Sequence, residues 1–247
     1  EKERMTAYGA DMSKYLDSGN EARIKKAYES RDPRLQMAVI TPYAQYNGAS
    51  SGIAHTYTLR WPYRGSDSAE PFDIRTDTND KFYYLWRKFV PEGLEQTERD
   101  TYGLDIPLIR YAEVLLLKAE ALNEWGSTHE SEAIRCVNEV RRRAGHVELN
   151  NATYPATKVN GQSDLRERIW NEYYWEIGGE DSMYFHELRW GTWKDKKFDN
   201  NRNGLMQMWG ETTYTWYWLG DQCWSWPIPA KEMEMNSNLE QNEGWIN

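Results

Sequence analysis

A mainly α-helical fold, built of helical hairpins joined by long irregular loops with few short strands, is what the sequence predicts. Three observations carry that expectation. Residues 106–145 hold two amphipathic helical periods back to back. Residues 163–177 hold a third. Residues 41–105 show no long helical period and are punctuated by Gly, Ser, Asn, Asp and Pro.

In the first helix of the pair, Ile109, Ala112, Leu116, Ala119 and Leu122/Asn123 recur at three- and four-residue steps, as one buried face requires. Pro107 fits a first turn, where its missing N–H would have no helical partner. Gly126 follows the last periodic residue and can take a left-handed stop. The second helix turns Ala133, Ile134, Val137, Val140 and Ala144 inward and stops at Gly145. Small residues (Ala112, Ala119, Ala121, Ala133, Ala144) allow close approach of the two helices. The pair resembles a tetratricopeptide-like stacking unit, without a strict repeat.

Upstream, Asn20 caps a short helix carrying Ile24, Ala27 and Tyr28. Pro33 forces Asp32 out of helical geometry, and Leu35 to Ile40 reads as a short strand. Downstream, Glu148 to Gly161 is a polar connector. Ser163 caps a helix in which Leu165, Ile169, Tyr173 and Glu176/Ile177 share a face, stopped by Gly178-Gly179. Glu180 to Trp190 is a further helix ending at Gly191. A charged, Asn-rich loop then leads to Trp209, Trp216, Trp218, Trp224 and Trp226. Three regions follow: 1–40, a helix and the Arg-Asp-Pro-Arg stretch; 41–105, an irregular segment suited to carry ligand loops; and 106–247, a helical region.

Composition narrows the function. The 247 residues carry a formal charge of −9, which argues against nucleic acid, whose phosphates need a basic face. The Arg141-Arg142-Arg143 run sits in a last helical turn, where the dipole favours cations. Two cysteines, Cys136 and Cys223, make no CxxC, and four histidines are scattered, so no metal site is implied. Cys136 reads as a buried or half-buried thiol, and its pairing with Cys223 stays open. Trp (13) and Tyr (17) far outnumber Phe (5), a bias toward rings with a polar edge, as at binding surfaces.

Carboxylates come first among groups that carry chemistry. Glu172, Glu176 and Glu180 follow at i, i+4 and i+8, with Arg166, Arg168 and Arg189 nearby as neutralising partners. That pattern reads as salt bridging before catalysis. Asp73, Asp77 and Asp80 lack the glycine and terminal glutamate of a calcium loop. No nucleophile elbow and no phosphate-binding glycine loop occur. The Trp209–Trp226 stretch reads as packing of the last helices, with Trp218, Trp224 and Trp226 its buried members. Tyr43, Tyr46, Tyr57, Trp61, Tyr63 and Trp86 differ, because Asn47, Arg60, Arg64 and Asp67 lie among them. A pyranose offers a C–H face to an aromatic ring and hydroxyls to polar side chains. Tyr46, Asn47, Trp61, Tyr63, Arg64 and Trp86 are therefore the candidate ligand residues. Packing explains the same rings equally well.

The landmarks also form an ordered set. Arg31-Asp32-Pro33-Arg34-Leu35 is followed by Arg110-Tyr111-Ala112-Glu113 with Ala119-Glu120-Ala121, then by Asn138-Glu139-Val140-Arg141-Arg142-Arg143-Ala144-Gly145. Glu172, Glu176 and Glu180 precede Arg189-Trp190-Gly191, and Pro227-Ile228-Pro229, Glu232, Asn236, Gln241-Asn242 and Gly244-Trp245 close the chain. From about Asp32 to Asn247 this resembles the RagB/SusD family. Tyr173, Met183 and His186-Glu187 depart from its pattern.

The resemblance implies the C-terminal part of a longer, mostly helical SusD-like domain whose N-terminal half is absent, in keeping with an opening run (Glu1 to Leu16) that reads like a chain interior. It implies a non-catalytic, lipid-anchored outer-membrane surface protein that captures oligosaccharide or another nutrient for a SusC-like TonB-dependent transporter. The lipid anchor would lie at an N-terminus outside this chain, and no catalytic residue, metal or cofactor is implied. Two alternatives are a structural or interaction subunit of the transporter complex and, further off, a carbohydrate-active enzyme using the three glutamates.

Overall fold

A computed structural model describes residues 28, 31–50, 53–59, 73–74, 85–93, 103, 105–180, 182–197 and 218–245. The described residues are mainly helical and fall into two compact units, one within Leu16–Met183 and one within Tyr184–Asn247. The capped helix expected from Asn20 lies outside them, apart from the helical and buried Tyr28.

In the larger unit α1 (Pro33–Ala38) leads directly into β1 (Val39–Ile40). A strand was expected over Leu35 to Ile40, and only its last two residues form one. Proline decides this. It sits at the first helical position, where its fixed φ suits the helix. Asp32, which it holds extended, caps the helix by accepting a hydrogen bond from the Arg34 N–H at 2.9 Å.

The segment expected to be irregular contains sheet. β2 (Gln45–Ser50) and β3 (Ile53–Leu59) pair antiparallel with Tyr46 opposite Tyr57, β4 (Asp73–Ile74) adds in parallel to β3, and β5 (Leu85–Trp86) pairs with β1. Two residues separate β2 from β3, the spacing of a tight hairpin, and β3 is rich in β-branched and aromatic residues (Ile53, Thr56, Tyr57, Thr58). Tyr46, Tyr57 and Gly48 share one face. A Cβ at Gly48 would come within 2.8 Å of the Tyr57 ring and 2.9 Å of the Tyr46 ring, so the glycine is what lets the two tyrosines close over the strand.

The hairpin forms as expected, with shorter bounds. α2 is Tyr111–Trp125 and α3 is Glu130–Arg143; α2 packs on α3 and on α4 (Gln162–Ile177). Ala119, Ala133, Leu116 and Val137 are fully buried between them. Pro107 precedes the helix, and Ile109 is 72% exposed. The buried face of α2 is Glu113, Leu115, Leu116, Ala119, Leu122 and Asn123, and Ala121 points to solvent. Its opposite face is apolar too, with Tyr111, Val114, Leu117 and Trp125 exposed, and the segment before it exposes Ile106 and Leu108.

α4 starts at Gln162 behind Gly161, so Ser163 lies inside the helix and is not its cap. Leu165, Ile169, Tyr173 and Ile177 are its buried face, as the period requires. Its first turn is tied to the end of α2 by a reciprocal pair: Asn123 Nδ2 donates to the Gln162 carbonyl at 3.1 Å, and Gln162 Nε2 donates to the Asn123 carbonyl at 2.8 Å.

The smaller unit contains α5 (Ser182–Arg189) from Tyr184 onward, α6 (Trp193–Lys197), α7 (Ala230–Met235) and an aromatic cluster. Trp193 meets Trp218 edge-on at 5.5 Å, and Trp218 lies 5.1 Å from Trp224. Trp218 and Trp224 are half-buried, but Trp226, expected inside, is 71% exposed. Its indole N–H donates to the Tyr184 hydroxyl at 3.0 Å. Trp209 and Trp216 lie outside the described residues. The Pro-Ile-Pro strap is held by polar side chains: the Ile228 N–H donates to Gln241 Oε1 at 2.7 Å, Gln241 Nε2 donates back to the Ile228 carbonyl at 2.9 Å, and Asn242 Nδ2 donates to the Trp226 carbonyl. Cys136 is a buried free thiol and Cys223 a half-buried one.

Candidate functional site

The larger unit is organised around a chain of ion pairs on the last turns of α4 and the residues just past its end. Glu172, fully buried, accepts from Arg34 Nη1 and Arg141 Nε, each at 2.7 Å. Glu176 accepts from Arg110 Nη1 at 2.9 Å, Arg34 Nη1 at 3.1 Å and Arg143 Nη2 at 2.5 Å. Glu180 accepts from Arg110 Nη2 at 2.7 Å and pairs with Lys88 at 2.5 Å. Arg34 also grips Asp32 through Nη2 at 2.6 Å. The carbonyls left over at the end of α4 are met by the same cations. Lys88 Nζ donates to the Glu176 and Gly178 carbonyls, and Arg110 Nη2 to that of Glu176.

Salt bridging of the three glutamates is therefore right in kind and wrong in partners. Arg166 pairs with Glu124, Arg168 with Asp164, and Arg189 reaches His186. The reason is directional. Arg166 leaves α4 on another side, and Arg168, one turn before Glu172 on the same side, reaches back toward the helix N-terminus to Asp164 and to the Ala156 and Lys158 carbonyls, so the buried acids draw their cations from other elements. The triple arginine resolves likewise: Arg141 to Glu172, Arg142 to Glu148, Arg143 to Glu176. Asn138, in the same motif, holds Leu149 by both its N–H and its carbonyl.

Electrostatically the site is a set of fixed ions. Burial alone would push the Glu176 carboxyl up, but hydrogen bonds and charge from Arg110, Arg34 and Arg143 hold it below the ordinary carboxylate range. Asp32 behaves the same way, burial being outweighed by Arg34 and by His146. A general acid for glycoside cleavage needs the opposite shift, upward toward neutrality. Glu176 is thus a structural anion.

A cleft of about 250 Å³ opens on this network, lined by Arg34, Lys88, Arg110, Arg143, Glu176 and Glu180 with apolar walls from Met37, Ala38, Phe89 and Trp175. Trp175 is 42% exposed, and its ring is set by stacking on His146 at 5.6 Å and by the Arg141 guanidinium at 5.6 Å. Phe89 has φ 62°, a strained backbone for a bulky residue.

None of the described candidate ligand residues lines this cleft; Trp86 is the one whose neighbours in sequence and in packing do. Its indole is 59% exposed and lies over Gly179, where a Cβ would come within 2.7 Å of Cζ3. Gly179 also has φ 83°, so a side chain there is excluded twice. Trp86 is two residues from Lys88 and packs one residue from Glu180, both cleft residues. Tyr46 and Asn47 are elsewhere. Neighbours on one strand, they face opposite sides of the sheet. Tyr46 donates its hydroxyl to the Pro91 carbonyl at 2.9 Å and lies 6.4 Å from the Tyr57 ring. Asn47 accepts from Thr56 Oγ1 at 3.2 Å. Trp61, Tyr63, Arg64, Arg60, Asp67, Asp77 and Asp80 lie outside the described residues. Sequence reasoning missed Trp175 and Arg143 as cleft residues, because each reads as part of a helical period.

A model of the SusD family matches residues 6–245. Over 139 residues the chain is 32% identical to SusD-like protein P38 of Formosa agariphila, covering 56% of this chain and 24% of that one. Over 161 residues it is 28% identical to the starch-binding protein SusD of Bacteroides thetaiotaomicron, covering 65% and 25%. It thus spans about a quarter of the length of these curated relatives. Among solved structures, a SusD-like protein of Bacteroides fragilis superposes with a TM-score of 0.62 at 21% identity, covering 89% of this chain and 40% of that one. A SusD homologue of Bacteroides thetaiotaomicron gives 0.52 at 22% identity, covering 90% and 42%.

Proposed function

We propose that this chain, which belongs to the SusD family, takes part in non-catalytic capture of oligosaccharide at the bacterial cell surface. One observation carries the reading. An exposed indole, Trp86, lies over Gly179, next in sequence to Glu180 of a cleft whose own carboxylates are paired with arginines and a lysine. A fixed, wet aromatic ring next to polar groups suits the C–H face and hydroxyls of a pyranose. The starch-binding relative supports saccharide as the ligand class. Trp61, Tyr63 and Arg64 remain proposed contacts, with Tyr46 and Asn47 serving opposite faces of one hairpin.

In this reading the protein sits on the outer membrane by an N-terminal lipid and hands its ligand to a SusC-like TonB-dependent transporter. No helix among the described residues is long and apolar enough to cross a membrane. Calorimetric titration of the intact chain against plant, host and microbial glycans tests the proposal. Saturable heat without new reducing ends is the expected result. Heat from none of them, or steady release of reducing ends, contradicts it. A second reading, an interaction subunit without its own ligand, draws on the exposed apolar run Ile106, Leu108, Ile109 and Tyr111. It predicts that Leu108→Asp breaks a transporter complex while saccharide affinity is nil throughout.

A further inference from the structure

We propose that the cleft beside Trp86 selects saccharides bearing an oxyanion, a carboxylate or a sulfate ester, through the unspent donors of Arg143. This rests on the saccharide reading and adds a ligand class to it. Among the described residues, five cations (Arg34, Lys88, Arg110, Arg141, Arg143) share four carboxylates (Asp32, Glu172, Glu176, Glu180), so the network carries one formal positive charge in excess.

Hydrogen-bond accounting shows where that charge is available. Arg34 and Arg110 engage every guanidinium nitrogen. Arg141 is buried against Glu172 and the Val147 carbonyl. Lys88 directs its ammonium to three oxygens. Arg143 spends only Nη2, on Glu176, and its side chain is 61% exposed. Its Nε and Nη1 have no protein partner among the described residues. A guanidinium with free N–H groups matches the two oxygens of a carboxylate or the three of a sulfate ester.

The rest of the cleft fits a ring carrying such a group. Trp175 supplies a half-exposed aromatic face already set in plane, and Phe89, Met37 and Ala38 supply apolar walls. Glu176 and Glu180 would repel an oxyanion brought to them directly, but both are saturated by arginine or lysine. Discrimination between a charged sugar and its neutral counterpart then falls on Arg143.

The test is calorimetry on the intact chain with an oligogalacturonide, the same oligosaccharide after carboxyl reduction, and a sulfated galactan oligosaccharide. The expected result is at least about ten-fold tighter binding of one or both charged forms than of the reduced one. That preference should shrink between about 0.05 and about 0.5 M salt. Arg143→Gln should abolish the preference, and Arg143→Lys should keep part of it. Glu176 retains Arg34 and Arg110 in both variants, so an unchanged melting temperature certifies the fold. Equal affinity for charged and reduced forms, or a preference that survives Arg143→Gln, overturns the inference and leaves saccharide capture standing. Heat from none of the three, nor from any glycan, overturns both.

Discussion

Glu172 has no exposed atom to speak of and two arginines for partners, Arg34 and Arg141, drawn from segments 138 and 31 residues away. Truncating one member of a buried pair leaves the others charged, dry and unmatched. Glu172→Ala is therefore expected to lower unfolding free energy by about 3–5 kcal/mol in urea titration, whereas a loss below about 1 kcal/mol would place the acid at the surface. The same ions set a pH dependence. Asp32 and Glu176 are held below their ordinary values of 3.8 and 4.5. A depressed folded-state value means their contribution is whole above those ordinary values and is lost as pH falls through the lower ones. The melting temperature should stay level from neutral pH to about pH 5 and drop below about pH 4. A loss beginning near neutrality would mean that other groups dominate.

At the scale of elements, the segment just after α4 is where the ion network and the proposed saccharide contact come together. Gly179 combines positive φ with contact to Trp86. Gly179→Ala should cost about 1–3 kcal/mol and displace the indole, read as a lower melting temperature together with weaker saccharide binding. The hairpin of α2 and α3, and the buried stripe of α4, were legible because an amphipathic period states which face is inward. Their partners were not. Nothing local tells Glu172 to choose Arg34 over Arg168 four residues before it. The start of α2 was misplaced because Ile106, Leu108 and Ile109 extend an apolar pattern past the helix. β2 was hidden by its composition, Gln-Tyr-Asn-Gly-Ala-Ser, which has little β-branched content. β3 and the two-residue gap did carry a hairpin signal. The candidate site was half visible: Trp86 by residue type, Trp175 and Arg143 not at all, because a helical period marks burial and is silent about a cleft wall.

For the molecule as a whole, the excess of Trp and Tyr divides by role. In the smaller unit Trp193, Trp218 and Trp224 pack on one another, with Lys194 over the Trp218 ring. In the larger unit Tyr46 and Tyr57 close over Gly48, while Trp86 and Trp175 stay open to water beside the ion network. A dense set of buried ion pairs ties α4 to α1, α3 and the segment before α2. Rigid placement of an exposed ring lowers the ordering cost of binding. Calorimetry of Trp86→Ala beside the wild-type chain, with a glycan that the wild type binds, tests that account most directly. An affinity loss of about ten-fold or more, at an unchanged melting temperature, is the expected result. Equal affinity of the two proteins would contradict it and move the saccharide away from the Trp86 cleft.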